Sequence, residues 1–230
     1  MAVIAFAQSK GGAGKTTACV TLVGELCRQA SLSNSDIKVT LIDTDPNQHS
    51  AGWAKKDGCP KNLVLIEKSN EETVLDDIDA ASSTTQFVLV DLEGTANFAV
   101  TQAISRADLV IVPCQASEDD AAEAARTIGL IRKQGRLLGR KIPCCILLTR
   151  TSAAIQTRLL KLIKQDFIDN GVHILDSSLI DREAFRAVRS YGGIVNDLDP
   201  TLVSGIDKAA SNAKAYANDV KRMLIGGSHD

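Results

Sequence analysis

Aromatic residues are scarce in this sequence, making up 3% of 230 residues. So few stacking platforms argue against a protein that grips unpaired bases. The six cysteines (Cys19, Cys27, Cys59, Cys114, Cys144 and Cys145) contain no C-x-x-C spacing, and His49, His173 and His229 are scattered. Neither a zinc site nor a disulfide framework is expected, and the thiols read as small core hydrophobes. The longest apolar runs, IPCCILLT and ADLVIVP, are far too short to span a bilayer, and the first residues lack the basic flank and cleavage site of a signal peptide. A cytoplasmic chain is expected. Acids are missing altogether between Ala124 and Gln165.

What the chain does have is a 44% hydrophobic content and a net charge of only −2, enough for one well-buried domain over residues 1–230. Runs rich in Val, Ile and Leu fall at Ala2 to Ala7, Lys38 to Ile42, Leu63 to Glu67, Phe87 to Leu92, Leu109 to Pro113, Ile142 to Thr149 and Val172 to Leu175, with helical stretches between them. Their near-continuous apolar character suits strands buried on both faces. An α/β, doubly wound, mostly parallel sheet with helices on both sides is predicted. A last helix from about Thr201 to Ile225 carries Ile206, Ala210, Ala213, Ala217, Val220 and Leu224 on one stripe, and GGSHD after it reads as a frayed tail. In such sheets ligands gather at the carboxyl ends of strands, which is where the polar motifs lie.

The first strand leads into SKGGAGKTT. A phosphate loop reads G-x-x-x-x-G-K-[ST], and Gly14, Lys15 and Thr16 supply its end while Ser9 stands in place of its first glycine. Gly11, Gly12, Ala13 and Gly14 can turn successive N–H groups around an anion, and the helix beginning at Lys15 and running on through Thr17 adds the positive end of its dipole. Lys15 is placed to reach the β- and γ-phosphates of a nucleotide, and the Thr16 hydroxyl to ligate magnesium. Lys10 is left over. It lies across the glycine turn from Lys15, poorly placed for the phosphates of its own loop and free to point outward.

KGGAGKTT resembles the deviant Walker A motif of the ParA/MinD family of ATPases, in its short ParA form without an N-terminal DNA-binding domain. The resemblance covers essentially the whole chain and implies ATP and Mg2+ as ligands. It also implies that Lys10 crosses a dimer interface and contacts phosphates held by the partner subunit, as an arginine finger does. VTLIDTDPNQ resembles the family's first switch, which gives Asp45 the attacking water and Asp43 a place in the magnesium shell. FVLVDLEGTAN ends a strand on Asp91, in the form of a Walker B carboxylate that holds magnesium through water. After it, Gly94 can offer its N–H to the γ-phosphate as a switch glycine. Glu93 is a competitor to Asp45, which is preferred because Glu93 reads equally well as a solvated acid. Arg150, at the end of IPCCILLTR, is similar in place to the family's adenine contact and could stack on the base.

The acid-free stretch holds ten bases, and Arg126, Lys133, Arg136 and Arg140 share a helical face by their spacing. A basic surface on an acidic protein suggests a polyanion. Nonspecific double-stranded DNA suits it best, with Arg132, Arg136 and Arg140 as contacts, since phosphates require only Lys and Arg. The last helix suits packing rather than lipid, so no membrane partner is expected.

Together these readings predict a partition ATPase with weak basal activity. It would close into a homodimer around ATP, associate with the nucleoid, and position plasmid or chromosome cargo as a ParB-like or other adaptor protein stimulates hydrolysis. The alternatives are an accessory ATPase of conjugal transfer or a protein-complex positioning ATPase of the same family. More remote is a metabolic P-loop phosphotransferase, to which Lys10 would be of no use.

Overall fold

A computed structural model describes residues 1–94, 97–154 and 157–226. Strands β1 (Ala2–Phe6), β2 (Val39–Asp43), β3 (Leu63–Ile66), β4 (Phe87–Asp91), β5 (Leu109–Cys114), β6 (Cys144–Thr151) and β7 (His173–Ile174) form one sheet in the order β3-β2-β4-β1-β5-β6-β7, and every pairing is parallel. A further short strand, β8 (Leu179–Ile180), adds to β6. No periodicity announces β8, because two residues cannot display one. β1 is central, with β4 on one side and β5 on the other, so the loop after it opens in the middle of the sheet's carboxyl edge.

Alternation along β1 explains the layers. Ile4 and Phe6 face a core covered by α1 (Lys15–Leu32), α7 (Glu183–Tyr191) and α8 (Ile206–Gly226), while Val3 and Ala5 face the opposite core. That second core is covered by α3 (Val74–Thr84), α4 (Phe98–Arg106), α5 (Glu118–Leu138) and α6 (Arg158–Asp169). Both faces of the central strands are thereby removed from water, as their unbroken apolar runs require. The remaining helix, α2 (His49–Ala54), is short and follows β2.

Two expectations are corrected. The last helix begins at Ile206 rather than near Thr201, because Asp199 captures the amide and hydroxyl of Thr201 in a local turn and Gly205 takes a left-handed φ of 69°. Its buried stripe centres on Ala209, Ala213, Tyr216, Ala217 and Val220. Arg140 does not share a helical face with Arg136. Gly139, at φ 65°, ends α5 in a left-handed cap, and Arg140 lies beyond it. Most of the GGSHD tail, residues 227–230, lies outside the described residues.

Candidate nucleotide site

The loop after β1 is tied down from below by Gln8, which no motif had singled out. Its buried side chain donates to the Pro113 carbonyl (3.1 Å) and accepts from the Ser9 amide (2.9 Å) and the Thr127 hydroxyl (3.2 Å). Above that anchor Gly12 and Gly14 adopt φ of 82° and 102°, a region that L side chains avoid. The space beyond Gly11 and Gly12 is open, whereas a side chain at Gly14 would meet Thr149 at 3.3 Å. Thr149 itself donates to the Ala13 carbonyl at 2.8 Å. Gly14 is the N-cap of α1, and no side chain caps this helix and no acid stands in its first turn. The amides of the cradle, Lys15, Thr16 and Thr17 therefore retain the orphan N–H groups and positive dipole end that bind an anion.

Lys15 turns inward. Its ammonium donates to the Gln8 carbonyl at 3.0 Å, lies 3.4 Å from where a side chain on Gly94 would begin, and is nearly buried. Burial lowers its pKa, an effect opposed by the charges of Asp91, then Asp45 and Glu93. The fold therefore brings Gly94 and all three acids to the base of the phosphate loop.

Asp43 and Asp91 are register partners on β2 and β4 and are both fully buried, yet their environments differ. Asp43 spends one oxygen on the Asp45 amide (2.9 Å) and the other on the Ala51 amide (2.8 Å). It fixes the loop between β2 and α2. Neither oxygen of Asp91 has a well-formed hydrogen bond, although the Thr16 and Ser50 hydroxyls are close enough to favour its charge. Burial and then the Asp43 charge push its pKa up to about 7, against the Thr16 and Ser50 hydroxyls and Lys15, which favour its charged form. An orphaned carboxyl in the interior is costly unless something completes it. With Thr16 beside it, the set is all oxygen and suits a hard divalent cation. Among the described residues no group of three or more His, Cys, Asp or Glu could hold a metal, so a cation here would share its shell with phosphate oxygens and water. The residues present therefore fit magnesium brought with a nucleotide.

Asp45 is half-buried and accepts from the amide (2.8 Å) and side chain (2.9 Å) of Asn47. Glu93 accepts from Asn97 Nδ2 at 2.7 Å, and Asn97 caps α4 through the Val100 amide. Glu93 thus supports a helix terminus next to the site. Arg150 is exposed and sits at φ 51° in a register shift between Thr149 and Thr151. The threonines on either side of it face inward, and Thr149 rather than Arg150 touches the loop.

Lys10 lies away from Lys15, on the α5 side of the loop, and pairs with Asp120 at 3.1 Å while its side chain remains 38% exposed. Gln115 donates to the Gly12 carbonyl (2.8 Å) and Ser9 to Glu123 (2.6 Å), so the same segment grips the loop at three points. The spacing Ser117-x-x-Asp120 is a capping-box pattern from which this helix start could have been read. Of the proposed DNA contacts, Arg132 donates to the Asn170 carbonyl (2.9 Å) at the end of α6, and Arg140 to the Ser105 carbonyl (2.6 Å) at the end of α4. Arg136 is exposed, as are Lys133, Arg158 and Lys161, and none of the four has a side-chain partner among the described residues.

A cavity of about 630 Å3 lies elsewhere, between the start of β6 and the end of α8. Its acids, Asp176 and Asp219, are already paired with Arg222. It offers no phosphate cradle.

A parallel sheet with a glycine cradle, an inward lysine and a buried strand-end carboxyl defines a P-loop nucleotide-binding protein, and the second lysine marks the ParA/MinD type. The chain belongs within that type to the VirC1 protein family, whose model matches residues 1–219. It is 33% identical to Protein ParA of Rhizobium radiobacter over 97% of this chain and 98% of that one. Protein virC1 of the same organism is 25% identical over 88% of each. In fold it resembles an ATP complex of an McdA variant from Cyanothece, with a TM-score of 0.75, 15% identity and 96% of each chain covered. Among the described residues no helix is long and apolar enough to cross a membrane.

Proposed function

We propose that this chain is a partition-type ATPase that closes into a dimer around ATP, binds duplex DNA without regard to sequence, and hydrolyses ATP when an adaptor protein stimulates it. The observation that carries this reading is the opposite disposition of the two loop lysines: Lys15 is buried against Gln8 among three acids, while Lys10 stands on the rim toward α5. One lysine serves the phosphates of its own loop, and the other is available to a second chain.

In this reading the amides from Gly11 to Thr17 bind the phosphates, and Lys15 exchanges the Gln8 carbonyl for phosphate oxygens. Thr16 and Asp91 hold the cation, whose bound charge offsets that of the phosphates. Asp45 orients the water, and Asp43 acts on it indirectly by fixing the Asp45 amide. Gly94, next to Lys15, reports the γ-phosphate to the start of α4. Arg150, exposed at the end of β6 beside Thr149, is the residue available to stack on the base. Arg136 with Lys133, Arg158 and Lys161 forms the polyanion surface, and Arg132 and Arg140 brace the helices that present it. Sedimentation of the chain with and without ATP and Mg2+ tests the dimer, and a monomer in both conditions would reject it.

The family placement also suits the second reading, an accessory ATPase of conjugal DNA transfer. The site chemistry is common to both, and they differ in cargo. Adaptor identity separates them: stimulation by a centromere-binding protein supports partition, and stimulation by a DNA-processing relaxase supports transfer.

A further inference from the structure

We infer that the first turn of α5 is a latch that holds Lys10 against its own chain and must release it before a second copy can dock, with Asp120 as the catch. This inference rests on the dimer reading given above.

The Lys10 ammonium cannot lie 3.1 Å from Asp120 and also on the phosphates of another chain. The two partners are unequally held. Asp120 is buried, its amide donates to the Ser117 hydroxyl (3.1 Å), and one of its oxygens accepts from that same hydroxyl. Asp120 also sits in the first turn of a 21-residue helix, where the dipole favours its charge. Lys10 has no such anchorage: its side chain is 38% exposed and ends a flexible stem. When the pair parts, one Asp120 oxygen keeps the Ser117 hydroxyl while its buried Oδ1 has no partner, and Lys10, the more exposed member, is the one that moves. The catch therefore opens by movement of Lys10 alone, and the buried Asp120 carboxylate favours its return until phosphate contacts replace the pair.

Two further contacts make the catch part of a clasp. Gln115 holds the Gly12 carbonyl and Glu123 holds the Ser9 hydroxyl, so the rim of the loop from Ser9 to Gly12 is fastened to the segment that begins α5. A phosphate drawing the loop amides inward pulls on that rim. Nucleotide binding and release of Lys10 are mechanically connected for this reason, and Asp120 sets how much of the lysine is free before a partner arrives.

Asp120→Asn keeps the capping geometry and removes the charge that holds Lys10. In the nucleotide-free protein, acylation of Lys10 by a water-soluble ester, followed by peptide mass spectrometry with Lys133 as internal reference, should be several-fold faster in the variant. An unchanged ratio would overturn the latch. A half-exposed ion pair is worth a factor of about two to five, and a dimer opens two of them. Sedimentation with ATP and Mg2+ should then show self-association of the variant tightened roughly four- to twenty-five-fold. Unchanged or weakened association would overturn the gating role. If the unaltered chain fails to associate at all, the dimer reading falls, and the Lys10 acylation ratio still decides whether the latch exists. Ser117→Ala leaves the carboxylate in place and should leave the Lys10 rate near that of the parent, so a rise equal to that of Asp120→Asn would assign the effect to a loosened helix start and overturn the proposal.

Discussion

Asp43 and Asp91 stand side by side on β2 and β4, and one has both oxygens hydrogen-bonded to backbone amides while the other has neither. The first carboxylate is spent on holding the loop between β2 and α2. The second is held by burial and by its neighbour at a pKa of about 7, against an ordinary 3.8. A folded pKa above the unfolded value means that the folded chain keeps a proton which the unfolded chain has lost. Stability of the nucleotide-free protein should therefore fall as pH rises from about 4 to about 7. Binding of Mg2+ with nucleotide requires the ionised form and should strengthen over the same interval. Scanning calorimetry of the parent and Asp91→Asn from pH 5 to pH 8 checks the first statement. A variant with the parent's pH slope would refute it.

Lys15→Ala should lose nucleotide binding, because it removes the only ammonium facing the base of the loop among the described residues. Lys10→Ala should bind ATP nearly as well as the parent but fail to dimerise and to respond to a stimulating partner. Fluorescent-nucleotide titration paired with light scattering distinguishes the two. A dimeric Lys10→Ala protein with normal stimulated turnover would remove the trans role from Lys10.

Asp45→Ala should accumulate as an ATP-bound dimer, since the phosphate cradle is intact while the water is no longer oriented. Turnover should drop by a factor of about 100 or more, in the range of a lost general base. Glu93→Ala should instead loosen the start of α4 through Asn97, with a modest loss of stability and little change in the chemical step. Single-turnover hydrolysis measures both, and the opposite ranking would exchange the roles of the two acids.

DNA binding by the ATP-bound protein should weaken with salt at a log–log slope of about −0.9 for each phosphate contact and should depend little on sequence. Glutamate at Lys133, Arg136 and Lys161 together should abolish it at moderate salt without changing basal hydrolysis. Arg132→Ala and Arg140→Ala should behave differently, each costing about 0.5–1 kcal/mol of stability through a lost helix-end contact. Fluorescence anisotropy with a random duplex, alongside urea unfolding, separates these effects. Full binding by the triple variant would move the surface elsewhere, with α7 and its Arg186 and Arg189 the next to examine.

Sequence by itself determined the features that are set by neighbours in the chain. Gly12 and Gly14 announce a left-handed turn because only glycine adopts it freely, and the apolar runs of β1, β4 and β5 announce doubly buried strands. Lys10, Lys15, Thr16 and Asp91 follow from that local pattern, and with them the class of site.

Tertiary structure alone decided how each charge is spent. Asp43 and Asp91 look alike in sequence, yet the turn after β2 and the packing of α2 give the amides of Asp45 and Ala51 to Asp43, while Asp91 receives no backbone amide. Lys10 and Asp120 are separated by 110 residues and meet because β5 lies beside β1, which brings the start of α5 against the loop. Arg132 and Arg140 looked like free surface cations until the ends of α6 and α4 were placed beside them. A charged group is satisfied by whatever the fold carries within about 3 Å of it, and for Lys10, Arg132 and Arg140 that neighbour is far away in the sequence.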